Sequence, residues 1–510
     1  MTYFRFGDFK FGEQRFTGDK IPLTWYIYVD WDGDGYFEAD ESARVVGLTA
    51  NRGRAALLTS ASTGRASLAR MRVGMLTIEF DNYDRRFSPW YASSPLYPNV
   101  LPGREVKIQV KAFGATTYDV FRGRIDDIRP TSSDSVQVMA VDGWQLLSDH
   151  TAVTQLRTST TADVCIGDVL TAVDWPSSWG RDLDTGTDTL SYMWADEQTA
   201  YDVIHELNEV EQGMVYVAAD GTFTFDNRSS LYATSADFDL AERHVGRDIW
   251  TNRPWANIRN YTSVTHTPRE VQSTAAIWAL KDTPAVAAGD SLTLWARFVD
   301  ASLRYTPAQN VATPVATTDY TMNSASDGSG TDMTGNFTVA MTTYAARAKL
   351  VITNNDVVTG YVTKLQVRGD AIMAQDAAVS VSEDSASQAA YSLRQLDVDS
   401  MYLQSTATAQ NLAGALVSWL ASPTPSVEVT LTNVFALQFG LDLGSIIHFT
   451  SGHYGIDANF RLAHIEHHTL GNMQAIETRW TLESLPTSAD VWKLGVVGHS
   501  EIGTTTYLVY

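Results

Sequence analysis

The chain has 510 residues and a formal net charge of −22, from 37 basic and 59 acidic side chains. Hydrophobic residues make up 44% and charged residues 19%, the balance of a globular protein and not of a disordered one. Such a negative chain is not expected to be a general nucleic-acid or anionic-membrane binder, because both need clustered lysine and arginine. Cys165 is the only cysteine, which excludes an intrachain disulfide and a multi-cysteine metal site.

The length predicts about three or four domains at ~150 residues each. No apolar run approaches the ~18–20 residues that span a bilayer. The first residues lack the charged and apolar segments of a secretory signal. We therefore expect a soluble, multidomain protein.

Strand patterns dominate the chain. Pro22–Asp30 is rich in aromatic and β-branched residues, and Met75–Phe80 and Val106–Val110 alternate with a period near two. Turn signals such as Asp142-Gly143 and Asp220-Gly221 recur between such runs. These patterns predict a mainly β protein.

Two segments have helical periodicity. The first is Ala195–Gln212, with Asp196 as its N-cap and Gly213 as its stop, and the second is Ala407–Leu420. We interpret both apolar stripes as core-facing. The stripe residues are Ala200, Val203, Ile204, Leu207 and Val210 in the first helix, and Ala409, Leu412, Ala413, Leu416, Val417 and Leu420 in the second.

Composition shifts predict the domain limits. A β unit ends near His150, and a mixed α+β unit covers 151–235 with a hairpin through Asp220-Gly221. A Thr/Ala/Asp-rich strand region covers 271–370, and its 324–335 stretch is predicted to be an exposed loop. A last β unit containing the second helix runs to 485, and 486–510 is a short tail.

The sharpest local motif is Asp30-Trp-Asp32-Gly-Asp34-Gly35-Tyr36-Phe-Glu38-Ala-Asp-Glu41, which fits the calcium-loop pattern D-x-D-x-D-G-x5-E. A calcium ion takes six to eight oxygens, and alternate carboxylates converge as the chain wraps round it. The predicted ligands are the side chains of Asp30, Asp32 and Asp34, the carbonyl of Tyr36 and a bidentate Glu41, with Glu38 acting through water. A strand precedes this loop where an EF-hand has a helix, so an acidic hairpin turn without metal remains the alternative. Any bound calcium would be structural, and no cofactor is required.

A second polar cluster is His464-Ile-Glu466-His467-His468. On a strand, His464, Glu466 and His468 share one face and His467 points to the other. Residues of one face along a strand lie ~6.5–7 Å apart, too far for one tetrahedral zinc ion. We interpret the cluster as an ordinary exposed strand face.

Catalytic motifs are not apparent. No complete nucleophile elbow, Walker loop or dinucleotide fingerprint occurs in the sequence. Cys165 lies between Val164 and Ile166, which favours a buried, inert thiol. The many carboxylates would allow a glycosidase pair, but the sequence does not show that any two converge. We therefore expect no enzymatic activity.

Val73–Val110 resembles the N-terminal part of the tail-tip (baseplate hub) and minor tail proteins of long-tailed bacteriophages. The matching pieces are Phe80-Asp-Asn82-Tyr-Asp84-Arg-Arg-Phe87-Ser-Pro89, Leu101-Pro-Gly103-Arg104, Phe121-Arg-Gly123-Arg-Ile125-Asp126 and Ala140-Val-Asp142-Gly-Trp144. Further likenesses are the Trp194–Gln212 helix with the hairpin after it, Val362–Gly369, Leu443-Gly444 and His464–His467. The resemblance covers most of the chain, and its motifs are turns and strand ends, not catalytic signatures.

The resemblance implies two tail-tube-like β-barrels per chain, formed by 1–150 and by 236–270 with 371–485. It places 151–235 as an α+β hub domain and 271–370 as a β-sandwich-like insertion outside the ring. Three chains would form a homotrimeric hub that closes the distal end of the tail tube in the virion and forms or gates the channel for genome ejection. The implied partners are the distal tail protein ring, the tape-measure protein and tail fibre or receptor-binding proteins. DNA would pass through an acidic lumen without specific binding.

A calcium-dependent carbohydrate-binding or receptor-binding protein remains the alternative reading. The β-rich middle and the 14 tryptophans allow it, since aromatic rings stack on sugars. A secreted protein of that kind is expected to carry an export signal.

Overall fold

The computed structural model describes residues 23–37, 39–54, 56–60, 66–112, 116–231, 235–245, 249–432, 434–471, 473 and 475–485. Glu38 and the predicted tail 486–510 lie outside the described residues. Strands dominate the described residues, which confirms the predicted mainly β fold. Among the described residues, no helix is long and apolar enough to cross a bilayer.

The N-terminal β unit confirms the three predicted strands, which are β1, β6 and β7. Its strands are β1 (Leu23–Val29), β2 (Ala39–Asp40), β3 (Val45–Gly53), β4 (Leu58–Ser60), β5 (Ala66–Leu68), β6 (Arg72–Asp81), β7 (Glu105–Ala112), β8 (Thr116–Pro130) and β9 (Ser135–Val141). A short 3-10 helix covers Ser42–Arg44. Inward-facing residues alternate along β6 and β7, as expected for strands with one buried face.

The next unit mixes helices and short strands, and contains the predicted hairpin as β15 and β16. Its helices are α1 (Gly143–Asp149), α2 (Ala162–Ala172), α3 (Ala200–Glu211), α4 (Arg228–Leu231) and α5 (Glu242–Val245). Its strands are β10 (Thr151–Val153), β11 (Arg157–Thr161), β12 (Arg181–Leu183), β13 (Thr189–Met193), β14 (Asp196–Thr199), β15 (Met214–Val217), β16 (Phe223–Asp226), β17 (Phe238–Ala241) and β18 (Ile249–Asn252).

After β18 and β19, strands β20–β28 form two packed sheets around a core of their own. The strands of this region are β19 (Tyr261–His266), β20 (Arg269–Val271), β21 (Ala275–Ala279), β22 (Ala285–Val286), β23 (Ser291–Arg297), β24 (Ala308–Ala312), β25 (Tyr320–Asn323), β26 (Phe337–Thr343), β27 (Arg347–Asn354) and β28 (Gly360–Ala374). One sheet gathers β20, β21, β22, β24 and β25 around the long β28, and the other has the order β23-β27-β26. Short 3-10 helices cover Trp255–Asn257 and Thr334–Asn336. The predicted 324–335 loop is exposed at most positions, but Met333 and Thr334 are buried at its end.

Four of the C-terminal strands, β31–β34, join the N-terminal strands in a 13-stranded sheet, here called the main sheet. The strands of the C-terminal part are β29 (Ala378–Glu383), β30 (Gln395–Asp399), β31 (Ser426–Thr432), β32 (Ile446–Ser451), β33 (Ile456–Leu470) and β34 (Ala475–Ser484), and its helices are α6 (Ser385–Tyr391), α7 (Thr406–Leu420) and α8 (Phe435–Gly440). β29, β19, β30, β5 and β4 form a separate five-stranded sheet.

The described strands of both ends of the chain join in one 13-stranded sheet. Its main order is β18-β31-β34-β33-β3-β6-β9-β8-β7-β1-β2, with β32 and β17 branching from β33. The junction is the antiparallel pairing of β3 with β33, where Thr49 faces His468 and Gly53 faces His464. In this order β2 and β18 are the two ends of the sheet. Closure of either half into a barrel stays a prediction.

Helices α3 and α7 confirm the two predicted apolar stripes, since all eleven stripe residues are buried. The predicted N-cap Asp196 is wrong. Asp196 belongs to β14, which pairs with β10, and Thr199 caps α3 by accepting a hydrogen bond from the Asp202 amide at 3.1 Å. Gln212, in the left-handed conformation, ends the helix one residue before the predicted Gly213.

Candidate functional site

The acidic loop, Asp30–Glu41, brings three of its predicted ligands together. One oxygen from each of Asp30, Asp32 and Asp34 lies within 4.8 Å of the others. The carboxylate of Asp30 also accepts hydrogen bonds from the amides of Gly33 at 2.7 Å and Gly35 at 2.9 Å. Both glycines have positive φ, and a Cβ at Gly33 would lie 1.9 Å from the Arg104 guanidinium. The loop is therefore a tight turn built round the buried Asp30 side chain.

Glu41 lies apart from the three aspartates. Its buried carboxylate accepts hydrogen bonds from Arg86, with Nη2 2.7 Å from Oε1, and from the indole nitrogen of Trp31 at 3.2 Å. Tyr36 is largely exposed, and its amide donates to Asp34. Glu38 lies outside the described residues. The donor set near Asp30 thus consists of three carboxylates without the bidentate glutamate, and calcium binding stays a prediction.

The turn that carries the family resemblance packs against this loop. Asn82 is buried, and its side chain accepts from the Phe87 amide at 2.9 Å and donates to the Ser88 hydroxyl at 3.0 Å. Phe87 is fully buried, with its ring centroid 4.5 Å from that of Phe80. These residues terminate β6 and fold the chain back into the core. Their role in the structure is architectural, as the motifs predict.

Gly123 and Asp142 come from the same group of motifs. Gly123 allows the close approach of β8 to β9, and Asp142 begins helix α1. A Cβ at Gly123 would lie 2.1 Å from the Val141 carbonyl oxygen, so only glycine fits there. Asp142 caps α1 by accepting a hydrogen bond from the Trp144 amide at 3.0 Å. Burial raises the pKa of the Asp142 carboxyl to about 7.

The acidic loop and the 82–104 segment lie together at one end of the sheet, here called the loop end. Several aromatic side chains are exposed there. The two segments are joined by the Arg86–Glu41 pair, an Arg44–Asp84 ion pair of 2.8 Å and a hydrogen bond from Arg104 to the Asp32 carbonyl. The large apolar side chains exposed here are Tyr36, Tyr83, Trp90, Tyr97 and Leu101. Trp90 is 84% exposed, which is unusual for a tryptophan that serves only folding.

The histidine cluster lies on β33 as predicted. His464 and Glu466 are half-buried and His468 is exposed on one face, while His467 is buried on the other. Burial and the charge of Arg52 lower the pKa of His467 to about 3, and its Nδ1 lies 2.9 Å from the Thr478 hydroxyl. Glu466 pairs with Arg479 at 3.3 Å. Among the described residues, these side chains do not form a group spaced for one metal ion.

Cys165 is fully buried on α2, and burial raises its thiol pKa to about 12. A thiol with so high a pKa is a poor nucleophile. This confirms the predicted buried, inert cysteine.

The junction of the two halves contains charged contacts that sequence reasoning missed. Arg52 on β3 is buried; its Nη2 lies 2.7 Å from Asp442 Oδ1, and its Nη1 donates to the Val217 carbonyl at 3.1 Å. Arg54, just after β3, pairs with Glu483 on β34. No local pattern marks these partners, because each pair joins residues from opposite ends of the chain.

The polar face of the main sheet near β18 holds a shallow depression of about 410 Å³. Its lining residues are Trp250, Glu428, Thr430, Glu477 and Arg479. Trp250 is 74% exposed and lies opposite Glu428 in the β18–β31 register. This part of the sheet is therefore accessible and carries two carboxylates and one guanidinium.

No protein-family model matches the chain, and no curated protein matches it. Solved structures similar to it include a tail protein from Neisseria meningitidis MC58, at 10% identity and a TM-score of 0.48, covering 91% of this chain and 96% of that one. The 43 kDa tail protein of prophage MuSo2 from Shewanella oneidensis has 9% identity and a TM-score of 0.48, with 91% and 99% covered. Prophage tail protein gp18 from Listeria monocytogenes EGD-e has 8% identity and a TM-score of 0.43, with 91% and 94% covered.

Proposed function

We propose that the chain is a structural, non-enzymatic phage tail protein, and that three copies form the hub that closes the distal end of the tail tube. The Val73–Val110 motifs support this proposal, because their residues terminate β6 and lead into β7 as the resemblance implies. The buried Asn82 and Phe87 give these motifs an architectural role, and the close contact of Gly123 does the same for the Phe121–Asp126 motif.

One observation supports the proposal most directly: among the described residues, the main sheet ends in two strand edges that are not fully paired. The pairing of β3 with β33 makes one continuous sheet from the two halves of the chain. At one end β2 pairs with Tyr28 and Val29 of β1, and Asp40 and Glu41 also bind the Ile27 backbone, which leaves 23–26 without a described strand beside them. At the other end β18 pairs on one side with β31. Within the described residues, both ends therefore have unpaired strand edges. Such edges are satisfied when neighbouring copies add strand to strand, which would close three chains into a ring.

In this ring the polar face of the main sheet lines the channel. Glu428 and Glu477 lie on that face beside the exposed Trp250. Carboxylates there would repel the phosphates of DNA and let the genome pass without sticking. The channel is therefore used for transit and not for recognition.

The partners follow from the same arrangement. The loop end carries exposed Trp90 and Tyr83, a suitable surface for another tail component, since aromatic residues are enriched at protein interfaces. The proposed partners are the distal tail protein ring, the tape-measure protein and tail fibre or receptor-binding proteins. The proposed location is the distal tip of the virion tail.

Blocking the two edges tests the ring. Thr24→Lys on β1 and Thr251→Lys on β18 place a charge on each open edge, as natural edge strands do to prevent pairing. Light scattering after gel filtration is expected to give three times the chain mass for the parent protein and one chain mass for the double variant. Thr338→Lys, an exposed position on β26 outside the main sheet, is the matched control and should stay trimeric. A double variant that remains trimeric would overturn the edge-to-edge ring.

A further inference from the structure

The outward face of the β23-β27-β26 sheet carries an exposed tryptophan in a row of polar side chains. Trp295 is 49% exposed and lies directly opposite Lys349, which lies directly opposite Thr342 on the next strand. The alternate residues of these strands, such as Ala296 and Leu350, are buried in the core of the 271–370 unit. An indole, an ammonium group and a hydroxyl therefore stand side by side on one open sheet face.

The Trp295 ring is held in place by its neighbours. The Tyr344 ring lies with its centroid 5.9 Å away at an interplanar angle of 32°, and the Arg347 guanidinium carbon lies 5.6 Å from the Trp295 centroid. Arg347 pairs with Asp196 at 2.6 Å and with Glu197 at 2.8 Å, and its side chain is only 12% exposed. The ring is therefore preorganised, so a ligand that stacks on it loses little side-chain entropy on binding.

Polar groups round the ring remain available for a ligand. Within the described residues, neither the Lys349 ammonium nor the Trp295 indole nitrogen has a hydrogen-bond partner. Glu197 is half exposed at the edge of the face, where the 271–370 unit meets β14. The site thus offers two unpaired donors round one aromatic surface. Glu197 adds a half-exposed carboxylate that already binds Arg347 at 2.8 Å and lies 3.5 Å from Arg297, and its remaining lone pairs face solvent.

The opposite sheet of the same unit is different. On the outward side of β28, Arg368 pairs with Asp319 at 2.7 Å, and Gln366 donates to the same carboxylate at 3.1 Å. Asp370 accepts a hydrogen bond from Asn310 at 2.6 Å. These groups satisfy one another, whereas the Lys349 ammonium and the Trp295 indole nitrogen have no hydrogen-bond partner among the described residues.

We propose that the Trp295 face binds a glycan. The C–H face of one hexopyranose ring stacks on the indole, while its hydroxyls accept hydrogen bonds from Lys349 Nζ and Trp295 Nε1 and donate to Glu197. Thr293, the next outward-facing residue of β23, has a small side chain beside the indole, as an extended sugar chain requires. Glutamate at the edge and the net charge of −22 disfavour a nucleic acid.

This site goes beyond the assembly role and does not depend on it. A tail-tip protein with such a face would contact polysaccharide on a cell surface. Binding is a property of the single chain, so it is measured on the purified protein whether or not that protein forms a ring. A chain that fails to bind glycan can still form the trimer, and a chain that fails to form the trimer can still bind glycan. The two tests are therefore independent.

Affinity electrophoresis tests the proposal. The purified chain is run in native gels containing hydroxyethyl cellulose, dextran, glycol chitin or alginate. We expect at least one polysaccharide to slow the parent protein, and Trp295→Ala to abolish that retardation. Lys349→Ala should weaken binding several-fold, and Trp295→Phe, which keeps a stacking ring, should retain part of it. Trp250→Ala removes an exposed tryptophan elsewhere and should behave as the parent protein.

Two results would overturn the glycan site. One is a parent protein that none of the four gels retards. The other is Trp295→Ala retarded as strongly as the parent. A melting temperature unchanged from the parent excludes misfolding of Trp295→Ala, and partial binding by Trp295→Phe provides the second check.

Discussion

Arg54 and Glu483 form an ion pair with 2.7 Å between Nη2 and Oε2, although 429 positions separate them in the chain. The Glu483 side chain is 5% exposed, and Arg54 also donates to the Ala69 carbonyl at 2.9 Å. The pair lies where β3 meets the C-terminal strands of the main sheet. It therefore fastens the two halves of the chain together at the point where the sheet is continuous.

Removing one member of this pair should be strongly destabilising. Glu483→Ala leaves the Arg54 guanidinium poorly solvated and uncompensated, and we expect a loss of about 3 kcal/mol in the free energy of unfolding. The double variant Arg54→Met with Glu483→Leu should recover most of that loss, because apolar residues can replace a buried pair. Urea unfolding followed by fluorescence measures both.

Asp127→Ala is the control for that experiment, since Asp127 pairs with Arg129 on the surface at 2.6 Å. Exposed pairs contribute little, so the change should stay below about 1 kcal/mol. Equal losses for Glu483→Ala and Asp127→Ala would show that the Arg54 pair does not join the halves.

The raised pKa of Asp142 predicts that the free energy of unfolding depends on pH. Its folded-state pKa, about 7, lies above the ordinary value of 3.8, so the folded chain binds this proton more tightly than the unfolded chain does. The stability associated with the protonated form is complete below about pH 4 and is lost as the pH rises through about 7. Asp142→Asn keeps an oxygen that can cap α1 and removes the charge.

We therefore expect Asp142→Asn to raise the melting temperature relative to the parent at pH 8 and to change it little at pH 4. Asp149→Asn, at an exposed position of the same helix, controls for loss of a carboxylate. If the melting temperatures of Asp142→Asn and the parent differ by the same amount at pH 4 and at pH 8, the raised Asp142 pKa is contradicted.

Calcium binding by the acidic loop is a separate prediction. Because Arg86 holds Glu41, we expect a weak site, with millimolar calcium raising the melting temperature and chelation reversing the rise. Asp32→Asn combined with Asp34→Asn should abolish the shift. Asp327→Asn, in the exposed 324–335 loop, should preserve it. Melting temperatures that calcium leaves unchanged would favour the metal-free hairpin turn.

If the polar face of the main sheet lines the channel, reversing its charge should slow genome release. Phage carrying Glu428→Lys and Glu477→Lys should eject DNA more slowly, because the new cations attract phosphates inside the proposed channel. Asp327→Lys combined with Asp332→Lys makes the same total charge change in the 324–335 loop and should leave ejection unchanged. The measurement is the rate of DNA release from purified virions. Parent-like ejection by the double variant would argue against this face as the channel wall.

Local patterns predicted much of the secondary structure. Periodicity indicated the buried stripes of α3 and α7. Aromatic and β-branched composition indicated β1, and alternation indicated β6, β7 and the two faces of β33. Helix α2 was missed, because Gly167 and the β-branched Val164, Ile166 and Val169 lower its helix propensity. Tertiary packing of Ile166 and Val169 in the core stabilises that helix instead.

Long-range relationships were not accessible from the sequence. Asp196 has the chemistry of an N-cap, but pairing of β14 with β10 places it in a strand, where Arg347 binds it. In the same way, Glu41 fits the last position of a calcium loop, but Arg86 binds its carboxylate. The deciding partner is strand β10 for Asp196 and Arg86 for Glu41, and both lie outside the local motif. Spacing within a motif carries no information about such a partner.

Electron cryomicroscopy of the purified chain and of virion tail tips tests the central claim most directly. We expect a three-fold ring at the distal end of the tail, with the β3–β33 junction inside each copy and with Glu428 and Glu477 facing an axial channel. A tail tip whose density contains no copy of this fold, together with a monomeric purified chain, would contradict the hub assignment.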